Sequence, residues 1–282
     1  MLELNKEIKK IISNFDPDYS KNQKKRVAIC IKGAVSKFNS PSMEKNFIYD
    51  LKNGYINYRA TYNCFKKHIL EPNKNFKIDI FLHCWNEDLK KDLVELYQPV
   101  LSLFENNEIY ADEISERSPD PWLFSTTSQA LAIKRVIQLK EEYERRNSFE
   151  YDIVIIYRPD LILLKDLIID HYDLNKIYCN NFSWPEESCG DLHFVMSNGN
   201  SRAFKGLYDS AFRGNIPKTH LWTKNYIINF MGKEISMDGI IQGRDQQIAR
   251  PEKIQRECFG WFNIQPEVFY KYGFTPNDLG LN

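Results

Sequence analysis

The run Tyr151-Asp-Ile-Val-Ile-Ile-Tyr-Arg-Pro-Asp160, continued at once by Leu161-Ile-Leu-Leu164, constrains this chain more than any other stretch. Strands that alternate apolar and polar residues have one wet face; a β-branched run without polar interruption is buried on both faces. That is the pattern of a parallel sheet covered by helices on either side. In open α/β sheets, ligands bind beyond the carboxyl ends of the strands. Arg158 and Asp160 therefore stand where a polyanionic, metal-associated ligand such as a nucleoside diphosphate is expected. The plainer alternative is a surface turn around Pro159, since charged residues commonly follow buried strands.

The rest of the chain has room for such a sheet. Its 282 residues suffice for a full core, as one large domain or two small ones. Lys plus Arg and Asp plus Glu number 38 each, so no net field draws the protein to nucleic acid or an anionic membrane, and any polyanion site is local. Aromatic residues make up 14%, which excludes a disordered chain. The six cysteines include no C-x-x-C pair, and Cys30 and Cys84 sit inside apolar runs, so buried thiols in a reducing, cytoplasmic setting are expected. No apolar leader opens the sequence, and no window approaches the ~20 apolar residues of a spanning helix. Peripheral attachment to the inner face of a membrane is compatible with this.

Strand and helix patterns alternate through the first half. An amphipathic helix to about Asn22 precedes a strand at Arg26–Ile31, broken by Lys32-Gly33. A helical stretch runs from Met43 to Leu70, interrupted near Gly54, and a second strand covers Phe76–Trp85. Asn86-Glu87-Asp88 caps a helix, with acids suited to its positive end. A short strand near Val100–Phe104 and a proline-bearing loop (Pro119, Pro121) lead to a helix at Gln129–Arg146, introduced by Ser125–Ser128. Such alternation implies βαβ units and a mostly parallel sheet. Beyond it, strands at Lys176–Cys179 and Leu192–Met196 and helices at Ser201–Phe212 and Thr219–Met231 make a mixed region. A single domain over residues 1–282 is expected, with 23–165 binding nucleotide and 166–282 binding acceptor.

Five segments in this order resemble the GT-A type nucleotide-sugar glycosyltransferases, in particular the small bacterial and viral enzymes of capsule and lipopolysaccharide assembly. They are Arg26–Gly33, Ile78–Trp85, Leu139–Tyr143, Tyr151–Asp160 and Gly190–Ser197. The resemblance implies a GT-A-like α/β domain: a mostly parallel, Rossmann-like central sheet, helices on both faces and a mixed C-terminal part. It implies transfer of a sugar from a nucleoside-diphosphate donor to a surface-polysaccharide acceptor, assisted by a divalent cation, Mn²⁺ or Mg²⁺. The partners are then the nucleotide sugar and the glycan acceptor, with no nucleic acid. In that family the fourth strand commonly ends in Asp-x-Asp; here Arg158 stands in the first position, so only Asp160 maps as metal ligand. One carboxylate with phosphates can hold Mg²⁺ or Mn²⁺, and Arg158 can alternatively neutralise phosphate itself.

Glycosyl transfer needs a stabilised departing diphosphate, an oriented acceptor hydroxyl and a base for its proton. Lys32 and Gly33 fit the donor side, because glycine lets backbone approach a ligand; a solvated turn is the alternative. His83 and Trp85 share a strand face and either flank the donor or form a buried aromatic cluster. Asp191 and His193, two apart after Gly190, are expected on one side of a strand as an acceptor-binding or general-base pair. His220, Asp238 and Asp245 are later candidates for the donor site, and Trp184 and Trp222 for stacking on sugar, with packing as the alternative. Asp16-Pro-Asp18 imitates Asp-x-Asp but reads as a turn. Two other functions compete: a sugar nucleotidyltransferase, for which Lys32–Lys37 is a poor phosphate loop, and a non-catalytic carbohydrate-binding relative.

Overall fold

The computed structural model describes residues 24–35, 56–117, 121–180, 189–211, 219–237, 241, 245–249 and 254–281. Its strands are β1 (Arg26–Gly33), β2 (Lys77–Cys84), β3 (Leu101–Phe104), β4 (Ile153–Tyr157), β5 (Leu161–Leu163), β6 (Ile177–Cys179), β7 (His193–Ser197), β8 (Ile235–Met237) and β9 (Gln246–Ile248). Seven of them form one sheet in the order β3-β2-β1-β4-β7-β6-β8. β3, β2, β1 and β4 run parallel, β7 runs against both β4 and β6, and β8 is parallel to β6. This is the expected α/β fold with a mostly parallel, mixed sheet.

The apolar runs account for the parallel core. Every residue of β4 is buried, and each such side chain contributes roughly 1.5–3 kcal/mol by leaving water. Alternate residues feed two cores. Val27, Ile29, Ile31, Ile153, Ile155 and Tyr157 face one layer, where helices α1 (Tyr58–Phe65) and α2 (Lys90–Tyr97) pack through Phe65, Leu93 and Tyr97. Ala28, Cys30, Phe81, Val154 and Ile156 face the other. That layer takes Ala130, Ile133, Val136 and Ile137 from the long helix α4 (Pro121–Asn147), which follows the short helix α3 (Ala111–Arg117).

α4 begins earlier than its sequence implies, at Pro121 rather than near Ser125. Proline lacks only an N–H that has no partner at the first helical position anyway. The strand expected to end in Arg158-Pro-Asp160 is β4, which ends at Tyr157; the chain turns through Arg158–Asp160, and β5 leaves to pair with β9 in a separate two-stranded sheet. The helix expected over Ser201–Phe212 appears as α5 (Asn198–Phe204) and α6 (Leu207–Ser210), and α7 (Thr219–Asn225) continues into a π-helical turn at Tyr226–Phe230. The N-terminal helix, the Met43 half of the next one and Asp16-Pro-Asp18 lie outside the described residues.

All six cysteines are buried free thiols. Burial pushes the Cys30 and Cys84 thiols up to about 12, so they behave as small apolar residues. Among the described residues, no helix is long and apolar enough to cross a membrane.

Candidate functional site

From β1 the chain proceeds to β2 and β3 on one side of the sheet, and β4 lies on the other. The sheet's topological switch point is therefore the gap between the carboxyl ends of β1 and β4, where open α/β sheets hold ligands. Gly33 closes β1 with φ +127, a conformation that disfavours any residue with a Cβ. A Cβ there would lie 3.7 Å from Pro159 Cδ, so the two strand ends are in close approach.

The Arg158–Asp160 turn is held from three sides. Thr61 Oγ1 of α1 donates to the Pro159 carbonyl at 2.8 Å, Ala249 N donates to the Asp160 carbonyl at 2.8 Å, and Tyr157 Oη donates to the Leu161 carbonyl at 3.0 Å. Pro159 and Asp160 are buried, so this is a turn but not the solvated surface turn of the plainer reading.

Alternation along the strands sets a row of polar groups on the α4 face. Lys32 continues the series Ala28, Cys30 and His83 continues Phe81, while Arg158, in the turn just past β4, lies near enough to Lys32 to repel its charge. Lys32 and His83 are register partners on adjacent strands. Arg158 donates from Nε to Asp160 Oδ1 at 2.8 Å and from Nη2 to Asp160 Oδ2 at 2.6 Å. Its Nη1 lies 3.4 Å from Asp191 Oδ2, whose firmer contact is Gln129 Nε2 of α4 at 2.7 Å. Burial works against the Arg158 charge, yet Asp160 and then Asp191 outweigh it and raise its pKa.

Lys32 is 1% exposed and, among the described residues, its Nζ has no hydrogen-bond partner. Burial, then repulsion by Arg158, pulls its pKa down to about 7, with Asp191 and Asp160 opposing. An ammonium so placed is costly unless a counter-charge meets it.

His83 belongs to the same row but is fully buried. Its Nε2 meets Glu105 Oε2 at 3.1 Å, its ring stands edge-on to Trp85 at 4.4 Å, and its Nδ1 has no partner. Burial lowers its pKa, against the pull of Glu105. Glu105, just past β3, also accepts from Tyr110 and pairs with Arg135 of α4 at 3.3 Å. Burial alone would raise the Glu105 carboxyl, but these hydrogen bonds and the Arg135 charge bring it below its usual value. His83 and Trp85 thus form the packed aromatic pair that was the alternative to a donor contact.

The expected Asp191–His193 pair does not follow strand alternation. Asp191 sits in a bend before β7, turned to α4 and Arg158, while His193 opens β7 opposite Tyr157. His193 is 1% exposed and its Nδ1 meets Gln246 Oε1 of β9 at 3.0 Å. Gly190 fixes the bend: a Cβ there would stand 2.1 Å from Asn180 Nδ2, and Asn180 Oδ1 accepts from Leu192 N at 2.8 Å.

The later candidates disperse. The Asp245 carboxylate lies 3.8 Å from Lys165, and its carbonyl accepts from Leu164 N. Trp222 is buried and donates to Ser210 Oγ at 3.0 Å, which is packing. His220 lies within α7; Trp184 and Asp238 lie outside the described residues. Sequence reasoning passed over Gln129, Glu105 and Thr61. Of these only Glu105 carried a signal, as a charge at a strand's carboxyl end.

A divalent cation does not fit this donor set. Both oxygens of Asp160 accept from Arg158, Asp191 is engaged by Gln129 and Arg158, and a cation between them would face Arg158 and Lys32. Among the described residues, no three His, Cys, Asp or Glu side chains gather as a metal site. A surface depression of about 420 Å³ opens instead at the opposite, amino edge of the sheet, lined by Glu144, Phe149 and Arg202 among others. Its charges are engaged in ion pairs, Glu144 and Glu150 with Arg202, Glu141 with Lys205 and Arg145 with Glu142. No protein-family model matches the chain, and no curated protein matches it either.

Proposed function

We propose that the chain is a glycosyltransferase, moving a sugar from a nucleoside-diphosphate sugar to a surface-polysaccharide acceptor of the capsule or lipopolysaccharide kind. One observation carries this reading: two cationic side chains, Lys32 and Arg158, lie near each other at the switch point, with the carboxylate of Asp191 at their margin. The resemblance of the five sequence segments supports it, as does a sheet that is parallel on the nucleotide side and mixed beyond.

In this reading Arg158 faces the diphosphate, and Asp191 takes the proton of the acceptor hydroxyl. The bond from the anomeric carbon to the diphosphate oxygen breaks, the acceptor oxygen bonds to that carbon, and the diphosphate leaves with the electron pair. Gln129 and Arg158 both hold Asp191 through Oδ2, which fixes the carboxylate beside the donor site.

Incubation with a panel of nucleotide sugars, with nucleoside diphosphate as readout, tests the proposal. Slow release without acceptor is expected, and Asp191→Asn should lower transfer by about 10²–10⁴-fold, the usual contribution of a positioned base. Pyrophosphate release from nucleoside triphosphates would instead mark a nucleotidyltransferase. Saturable glycan binding with neither product would mark a binding protein.

A further inference from the structure

We infer that Lys32 and Arg158 supply the positive charge of the donor site themselves, so that this chain binds diphosphates without a divalent cation. The inference rests on the donor site proposed above, and it departs from the metal dependence that the sequence resemblance implies.

The hydrogen-bond inventory of Arg158 is the first ground. Its guanidinium has five N–H groups, of which the fork to Asp160 takes the Nε proton and one on Nη2. The Nη1 side is left with one long contact, 3.4 Å to Asp191, and the side chain is 16% exposed on a turn that is otherwise buried. A phosphate oxygen approaching there finds a planar, preoriented donor edge. Asp160 holds that edge in place with both of its oxygens. A cation entering beside it would have to displace the guanidinium and face its charge.

Lys32 is the second and independent ground. Nothing in the described fold requires a lysine at the end of β1. Its neighbours on that face are Cys30 and Ala34, and its ammonium is enclosed without a hydrogen-bond partner among the described residues. Cores tolerate such a group rarely, because a buried unpaired charge is destabilising. Placed near Arg158, it adds field to the same point through a medium that screens poorly. Burial first and Arg158 second lower the proton affinity of Lys32, and a bound anion at that point would raise it again.

Calorimetric titration of the full chain with inorganic pyrophosphate and with the common nucleoside diphosphates tests this, in excess chelator and again with Mn²⁺. Equal affinity in both buffers is expected. Lys32→Met should weaken binding by roughly tenfold or more, as for loss of a charged contact. Its melting temperature should be unchanged or raised, because it removes an unpaired buried charge and keeps the volume. Binding that needs Mn²⁺ overturns the inference and leaves the donor-site reading standing. Metal-free binding that Lys32→Met does not weaken overturns the part given to Lys32. If no diphosphate binds in either buffer, the donor-site reading fails and takes the inference with it.

Discussion

Arg158 and Asp160 grip each other around Pro159 through a two-pronged fork, Nε to Oδ1 at 2.8 Å and Nη2 to Oδ2 at 2.6 Å. The pair is largely buried, so removing one partner leaves an uncompensated charge. Asp160→Asn is expected to lower unfolding free energy by about 3–5 kcal/mol, read from the urea midpoint. Diphosphate binding should weaken in the folded fraction without being abolished, since Asp160 orients the Arg158 edge but does not itself meet the phosphate. A metal ligand would behave oppositely, with little stability lost and binding abolished.

Lys32 makes stability depend on alkaline pH. In the unfolded chain it stays protonated to about 10.5, whereas burial brings it to about 7 in the fold. Between those values the unfolded state binds the extra proton, so stability rises with pH across this window, by at most about 1.4 kcal/mol per pH unit. Below about 7 both states are protonated and this contribution is flat. Thermal melts from pH 6 to 10 should show the rise in wild type and lose it in Lys32→Met.

Gly190 carries the placement of Asp191. A methyl group at this position collides with the Asn180 amide, which holds Leu192 N. Gly190→Ala should move the bend, costing about 1–3 kcal/mol as for other small-to-large changes in packed sites. Sugar transfer should fall further than diphosphate binding does. Parallel measurement of turnover and calorimetric affinity separates the two effects.

Glu144 provides the control at the far edge of the sheet. It accepts from Lys140 Nζ at 3.1 Å, Asn198 Nδ2 at 2.8 Å, Tyr151 N at 2.9 Å and Arg202 Nη2 at 3.2 Å. Burial alone would raise its carboxyl, but these donors hold it below its usual value. Glu144→Gln leaves Lys140 buried without its counter-charge and should cost about 3–5 kcal/mol. Loss of the more exposed Lys205–Glu141 pair (2.6 Å) should cost about 1 kcal/mol or less. Neither change should alter diphosphate affinity.

The parallel strands were legible because residues buried on both faces leave uninterrupted apolar runs, as in Ile153–Tyr157 and Val27–Ile31. Pro159 marks the break after Tyr157, but the departure of Leu161–Leu163 to a second sheet was not legible, since it is as apolar as the strand before it and its partner Gln246–Ile248 lies far along the chain. Three-residue strands such as Gln246–Ile248 are too short for any period to register. Lys32, Arg158 and Asp160 were singled out from their position at strand ends, and the fold brings those ends together at the switch point. Gln129 was hidden, because a polar residue on an amphipathic helix looks solvated until the bend carrying Asp191 meets it. His193 misled for a related reason: the strand starts there rather than two residues earlier, so alternation from Asp191 did not apply.

The most direct test is the position of a bound nucleoside diphosphate in a crystal of the complex. The account predicts phosphate density between the carboxyl ends of β1 and β4, within hydrogen-bond reach of Arg158 and lost in Lys32→Met crystals. Density in the depression beside Glu144, Phe149 and Arg202, with the Arg158 edge unchanged, would contradict it.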